Sequence, residues 1–495
     1  MKILFLQPPL GAWATWGVTR SINIGHAQLA GYLREHNPDV QLEVLDCRAW
    51  GFTESEMLEK VGQIRPDILY VGDILHTTGG LAVVFIYNEA ARKVKEKYPN
   101  IKTVVGGIFY ASASEFTLKE NPMIDFCIAG ECEQTLSALL KELGRPKPEL
   151  STVLGLTWRQ NGKVVLNGYR PLIMNLDSLP MPAYDLFPMD KYVAHTYWKN
   201  YSETWNSRGC PAACTFCYEW GQYDPRGDQD LKKYRFRSGK KVVEEMQILY
   251  NQYGTRVIVM MDDTYNVSRA RVEETIEESL KCDNKMKWMP LGRAPYFIRD
   301  IDLFKDLRRA GCFMCLVGLE VADDLELKKI KKGITVDQVK ETVAKLREAG
   351  IATVLTWMIG FEDDDEEIIK NRYAAIDEID PDIIALQFLT PIPGSPIWDD
   401  AVKKGLVRME DLNKKIRQWD FHQPLIPTKF LSVPQIADLG SWAFREFYSK
   451  PGRIGRSMHN RKYDPLVGVC VRDFMQNVSH FQKESHGTKS YVGKE

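Results

Sequence analysis

Short apolar runs alternate with amphipathic stretches from the start of the chain. ILFLQ, LEVLD, DILYVGD, TVVGG and DFCIAG end in small or polar residues, and helical patterns such as HAQLAGYLREH and GLAVVFIYNEAARKVKEKY separate them. Parallel strands need long crossovers and are covered on both faces, so residues 1–145 are expected to form a doubly wound, Rossmann-like α/β domain. Six prolines between residues 145 and 192 break the rhythm. Within that stretch TVLGLTWRQNGKVVLN reads as a hairpin turning at Asn161-Gly162, so residues 146–200 are expected to be a proline-rich linker carrying a hairpin. The alternation returns in TRVIVMMD, KMKWMPLGR, CFMCLVGLE, IATVLTWMIGF and DIIALQFLT. With one strand before them, these units predict a partial (β/α)6 barrel over residues 201–405, with its chemistry at the C-terminal strand ends. Residues 406–495 read as a small, mainly helical C-terminal domain, rich in aromatic residues such as Trp419, Trp442, Phe444 and Tyr448, and as a candidate substrate contact.

Composition narrows the class. With 44% hydrophobic residues over 495 positions, the chain can fill more than one core. Lys and Arg total 65 against 66 Asp and Glu, so no basic field draws the chain to nucleic acid or to an anionic membrane. The opening MKILFLQPP meets prolines too soon for a signal peptide or a membrane span. A cytoplasmic protein is expected, in which ten cysteines point to metal or redox chemistry rather than to a disulfide framework.

RGCPAACTFCYEW, residues 208–220, places Cys210, Cys214 and Cys217 within eight positions. Thiolates select iron-sulfur clusters, zinc or copper(I). Structural zinc takes four ligands. His195 lies fifteen residues upstream of Cys210 and no Cys or His follows at finger spacing, so three ligands and an open iron fit better. Gly209 permits close backbone approach and Pro211 resists a simple helix, which shapes a loop around the first ligand.

The C-x3-C-x-aromatic-C pattern of Cys210, Cys214, Phe216 and Cys217 resembles the hallmark of radical S-adenosylmethionine (SAM) enzymes. The resemblance implies a [4Fe-4S] cluster on the three cysteines, whose open iron chelates the amino and carboxylate groups of SAM. It also implies an electron donor such as flavodoxin or ferredoxin, and cleavage of SAM to a 5′-deoxyadenosyl radical. Followed along the strands, it places Phe216, Asp262, Asp263, Arg293, Glu320 and Gly360 around SAM. Asp262 and Asp263 in MMDDTYN fall near the methionine amino group, Arg293 in PLGRAP and Glu320 in VGLEVADD near its charged or hydroxyl parts. Gly360 in MIGFEDDDEE falls beside the adenine, although FEDDD replaces the usual Pro-Gly-Glu-Thr. TPIPGSPIW, residues 390–398, resembles the loop leaving the sixth strand.

Doubly wound sheets bind ligands outside their C-terminal strand ends, so the loops LQPPLGAWATWG, GDILHTTGG, VGGIFYAS and AGECEQT matter most in the first domain. Their glycines let backbone amides approach a phosphate or a large flat cofactor. Beside a radical SAM core, VVGG and IAGECEQTL resemble the Gly-Gly and G-E-x-E stretches of the cobalamin-binding domain in the cobalamin-dependent class. This implies cobalamin contacts at Gly106, Gly107, Gly130 and Glu131, and at His76, Thr77 and Thr78 in ILHTTGG. The Asp-x-His-x-x-Gly motif that supplies an axial histidine elsewhere is absent, and His76 is placed to reach the cobalt's lower face. Trp13, Trp16 and Arg20 are candidates to cover the corrin or the substrate.

The leading expectation is cobalamin-dependent methyl transfer to an unactivated carbon, one SAM methylating the cobalamin and a second giving the radical. The resemblance brings into reach a small natural product, a peptide, or a protein residue such as a glutamine of methyl-coenzyme M reductase in a methanogen. The domain order is also similar to the anaerobic magnesium-protoporphyrin monomethyl ester cyclase, which makes oxidative cyclisation the alternative. A cobalamin or cluster sensor is the non-enzyme alternative. Methylthiolation of transfer RNA needs a further cysteine triad, whereas Cys47, Cys127 and Cys132 are scattered, and the net charge of -1 offers no basic excess for RNA.

Overall fold

The computed structural model describes residues 1–9, 20–73, 82–194, 198–219, 234–415, 419 and 421–484. β1 (Lys2–Gln7), β2 (Gln41–Asp46), β3 (Ile68–Asp73), β4 (Lys102–Gly107) and β5 (Phe126–Ile128) form a parallel sheet in the order β2-β1-β3-β4-β5. Successive residues serve opposite faces. Ile3 and Phe5 join Leu33 and Leu136 of helices Ile24–His36 and Cys132–Leu143 in one apolar cluster, whereas Leu4 and Leu6 join Tyr87 and Val94 of helix Ala82–Lys97 in another. This double covering is why the strands read as unbroken apolar runs.

The segment expected as a linker extends this sheet. β6 (Leu156–Gln160) pairs antiparallel with β5 and then with β7 (Lys163–Leu166). Asn161 and Gly162 turn between them at φ 52° and 79°, the left-handed pair a two-residue hairpin requires. The hairpin covers the edge of β5, whose backbone groups would otherwise be left unpaired. β8 (Val193–Ala194) and β9 (Trp198–Lys199) make a short antiparallel pair, and the backbone of Arg20 bridges to Val193.

After β10 (Tyr201–Thr204), a two-residue ribbon of β11 (Ser207–Arg208) and β12 (Arg235–Phe236) precedes β13 (Val257–Met260), β14 (Lys287–Gly292), β15 (Met314–Glu320), β16 (Ala352–Ile359) and β17 (Ile383–Phe388). β10 and β13 to β17 pair in parallel in that order and form a six-stranded half-barrel. The expected α/β class, a Rossmann-like sheet followed by a partial barrel, is the one observed.

Most of the tail packs on the barrel's core, whereas helix Met409–Lys415 places Leu412 in the cluster under the first sheet. Helix Val433–Tyr448 places Ile436, Ala443 and Phe447 in the apolar cluster that holds Ile359, Ile384 and Phe388. A Cβ on Gly440 would lie 2.6 Å from the Phe388 ring, so the helix sits directly on β17. Trp419, edge-to-face with Trp398 at 5.4 Å, belongs to the cluster under the first sheet. Among the described residues no helix is long and apolar enough to cross a membrane.

Candidate active site

Two clefts open at the C-terminal strand ends, one on each sheet. Cys210, Cys214 and Cys217 all border the barrel cleft, of about 1190 Å³, together with Phe216, Asp262, Asp263, Arg293, Glu320 and Lys332. The cysteine loop is pinned along its length. Gly209, at φ 81°, donates its N–H to Asp263 Oδ2 at 3.0 Å, and Cys210 Sγ lies 3.2 Å from Thr264 Oγ1. Thr215 N–H donates to the Ile330 carbonyl at 3.0 Å, and Arg293 reaches Cys214 Sγ at 3.8 Å. Burial, with Glu219 and Cys214 beside it, pushes the Cys217 thiol well above its usual range.

Among the described residues, no three His, Cys, Asp or Glu side chains close on a single metal ion. Three thiols on one short loop at one cleft are a donor set that fits an iron-sulfur cluster.

The strand-end acids and bases have definite partners. Asp262 is fully buried, and its Oδ1 accepts from Asn206 N–H at 3.0 Å and from Arg271 at 3.5 Å. Asp263 accepts from Tyr218 Oη at 3.1 Å as well as from Gly209, and burial raises its pKa to about 6. Glu320 sits at φ 73° beside a register shift in β15, an uncommon backbone for a residue with a side chain. Its Oε1 accepts from Lys332 Nζ at 2.7 Å. A Cβ on Gly318 would lie 2.9 Å from that ammonium, so glycine makes room for the pair. Arg293 also donates to the Lys332 backbone carbonyl, so these three residues are linked along the cleft wall.

Gly360 is not brought into this cleft. Thr356 and Met358 of β16 line it, whereas Gly360 lies past the strand end at φ 96° and borders a separate cleft with Phe361, Lys404 and Thr428. Asp364 takes the N–H groups of Gly360 and Phe361 at 2.9 and 3.0 Å and pairs with Arg372, which turns the chain outward. The FEDDD sequence is thus a capped turn. Lys332, Gln387 and Phe421 line the thiol cleft without having been singled out in the sequence. Phe421 arrives from the tail, its carbonyl accepting from Phe388 N–H at 2.8 Å.

The cleft on the first sheet spans about 710 Å³, open solvent included, and is bordered by Asn23, His26, Tyr70, Gly72, Gly107, Gly130, Glu131 and Glu133, with Trp205 and Arg208 from the barrel side. Gly130, at φ 96°, has nothing within 4 Å of where a Cβ would stand, so its backbone leaves room for a broad ligand face. Gly106 does a different job: a Cβ there would meet Tyr70 Oη at 2.8 Å and Cys132 Sγ at 2.9 Å. His26 Nε2 accepts from Gly72 N–H at 3.1 Å, and burial lowers the ring's pKa to about 3. Glu131 is spent on ion pairs to Arg208 and Arg235. Burial alone would raise its pKa, but the two guanidiniums hold the carboxyl below its ordinary value. The exposed Arg20 does not border this cleft. His76, Thr77, Thr78, Trp13 and Trp16 lie outside the described residues.

Comparison with known proteins gives a family for each of the two domains. Residues 207–371 match the Radical SAM superfamily, and residues 19–140 match the B12 binding domain. An uncharacterized methyltransferase of Pyrococcus horikoshii, PH0819, is 30% identical over 455 residues, 91% of this chain and 93% of that protein. The anaerobic magnesium-protoporphyrin IX monomethyl ester cyclase of Rubrivivax gelatinosus is 27% identical over 492 residues, 96% of this chain and 83% of that protein. The structure of the radical SAM methyltransferase TsrM from Kitasatospora setae, with tryptophan and a SAM analogue bound, superposes with a TM-score of 0.70 at 16% identity, covering 97% of this chain and 99% of that one, a likeness of fold. A [4Fe-4S] cluster, SAM and cobalamin are the cofactors these matched domains imply. With a 30% identical methyltransferase aligned over nearly its whole length, the chain belongs to the family of cobalamin-dependent radical SAM methyltransferases.

Proposed function

We propose that this enzyme adds a methyl group to an unactivated carbon of a small, largely apolar molecule. Residues 1–166 would carry the cobalamin, and residues 201–405 the cluster and SAM. Cys210, Cys214 and Cys217 would hold the cluster; Arg293, Lys332, Glu320 and Asp263 would orient the charged parts of SAM, and Phe216 would border it. Gly107, Gly130 and the neighbouring backbone would support the corrin. Together the bound cofactors supply a carbon radical and a methyl carrier, while the chain binds, orients and shields them.

The observation that carries this reading is a shared wall. Trp205 and Arg208 border the first cleft and Cys210 the second, so one run of six consecutive residues, 205–210, reaches both sites. A carrier and a radical source acting on one carbon need that proximity. For the substrate, the barrel cleft adds Leu291, Leu316, Met358, Phe388, Ile392 and Phe421 to its polar group, walls suited to an apolar body. The small molecule tryptophan in the TsrM structure agrees with that size class. Supply of the cluster's electron by flavodoxin or ferredoxin belongs to the same proposal.

Oxidative cyclisation is the second reading, supported by the likeness to the Rubrivivax cyclase along 96% of the chain. The fate of SAM separates the two. Methylation yields S-adenosylhomocysteine alongside 5′-deoxyadenosine, and cyclisation yields the second without the first. Anaerobic turnover of the reconstituted enzyme with SAM, cobalamin and a strong reductant should give both; 5′-deoxyadenosine alone would overturn the methylation reading.

A further inference from the structure

The wall between the two clefts is held by charge. β11 and β12 place Arg208 directly opposite Arg235. Like charges facing each other across a two-stranded ribbon repel, and so short a ribbon has little else to hold it. The compensating charges come from the other sheet. Glu131 and Glu133, at the start of helix Cys132–Leu143, lie over the two guanidiniums. Arg208 donates to Glu131 Oε1 at 2.7 Å and also pairs with Glu133. Arg235 reaches the same Glu131 oxygen at 2.8 Å and the Ile173 carbonyl at 2.9 Å. Ile173 N–H closes the group on Glu131 Oε2 at 2.6 Å. The four side chains are between 2% and 12% exposed, so little water screens them.

Geometry gives this group a task. Gly130 and Glu131 border the first cleft and sit on the loop after β5, while Arg208 lies two residues before Cys210. Gly209 between them is tied to Asp263 at the end of β13. Any shift of the glycine-lined cleft wall is therefore passed to the first cysteine through bonds no longer than about 3 Å.

We propose that Arg208, Glu131, Glu133 and Arg235 form a positioning clasp that couples occupancy of the cobalamin cleft to ordering of the cysteine loop. It rests on the assignment of cobalamin to the first cleft and the cluster to the three cysteines. Glu131 is then a positioning residue, joining its cleft wall to the barrel. Coupling of this kind is reciprocal: the cluster tightens cobalamin binding by the factor by which cobalamin favours the cluster-bearing loop.

The test titrates the full-length chain with hydroxocobalamin, followed by absorbance, before and after cluster reconstitution. The wild-type Kd should fall roughly tenfold once the cluster is present, within the usual range of such couplings. In Arg235→Gln, at a clasp residue that borders neither cleft, the ratio should collapse towards 1, while Kd for the cluster-free chain moves less than about threefold. Arg208→Lys, which keeps the charge but loses the fork that spans both acids, should give an intermediate ratio. A general structural defect would weaken both titrations together and leave the ratio intact, which would overturn the clasp. Hydrogen exchange on the wild type needs no variant to fold: the peptide spanning residues 207–219 should slow when hydroxocobalamin is added. Binding without slowing overturns the clasp alone; no binding at all overturns the cofactor assignment with it.

Discussion

His26 offers a perturbation whose size follows from one buried ring. Its Nε2 accepts from Gly72 N–H at the end of β3, and it packs beside Phe5 and Tyr70 with ring centres 5.6 and 5.4 Å away. Burial lowers its pKa from 6.5 to about 3. Above pH 6.5 the ring is neutral in the folded and unfolded chain alike, and folding carries no penalty. Below that pH the unfolded chain gains a proton that the folded chain refuses, so stability falls by about 1.4 kcal/mol per pH unit. At pH 5.0 the loss is about 2 kcal/mol, and it levels off near 5 kcal/mol as pH approaches the folded value. His26→Gln keeps an acceptor for Gly72 and removes the titration. Urea midpoints of the first unfolding transition, taken on cobalamin-free protein at pH 7.5 and 5.0, should show the wild type losing about 2 kcal/mol more than the variant. Asp263, whose pKa is raised to about 6, shifts stability in the opposite direction over this interval, but it does so in both proteins and cancels. Equal losses in the two proteins would refute the reasoning.

Lys332→Met leaves Glu320 buried beside an apolar side chain and should cost about 3 to 5 kcal/mol. Adding Glu320→Leu should restore much of the denaturation midpoint without restoring SAM affinity measured by equilibrium dialysis. Gly130→Val fills the open floor of the first cleft and adds strain of about 1 to 2 kcal/mol at φ 96°. It should weaken hydroxocobalamin binding at least tenfold in an absorbance titration, while the iron content after reconstitution stays at the wild-type level.

The strands were legible because burial on both faces leaves them no polar alternation to disguise, and Asn161-Gly162 announced its hairpin through two left-handed residues. What escaped was set by partners far away in sequence. Glu131 borders the first cleft, where the G-E-x-E resemblance put it, but the two arginines paired with it stand 77 and 104 residues away and nothing local announces them. Lys332 lies in a loop whose KKGI spelling resembles a surface turn, and only the register shift at Gly318 lets it reach Glu320. At Gly360 the local chemistry was visible but read for another purpose: Asp364 is a turn cap paired with Arg372. The tail's aromatic residues carried no address, since apolar side chains fit the barrel's core or one of their own equally well; Ile436 and Phe447 complete the barrel.

The claim on which the rest depends is a [4Fe-4S] cluster on Cys210, Cys214 and Cys217 with one iron left for SAM. Electron paramagnetic resonance of the reduced, reconstituted protein tests it most directly, with and without SAM. A cluster signal should change shape when SAM is added and be missing in Cys214→Ala, a variant that should still bind hydroxocobalamin. Zinc in place of iron, or a signal indifferent to SAM, would contradict it.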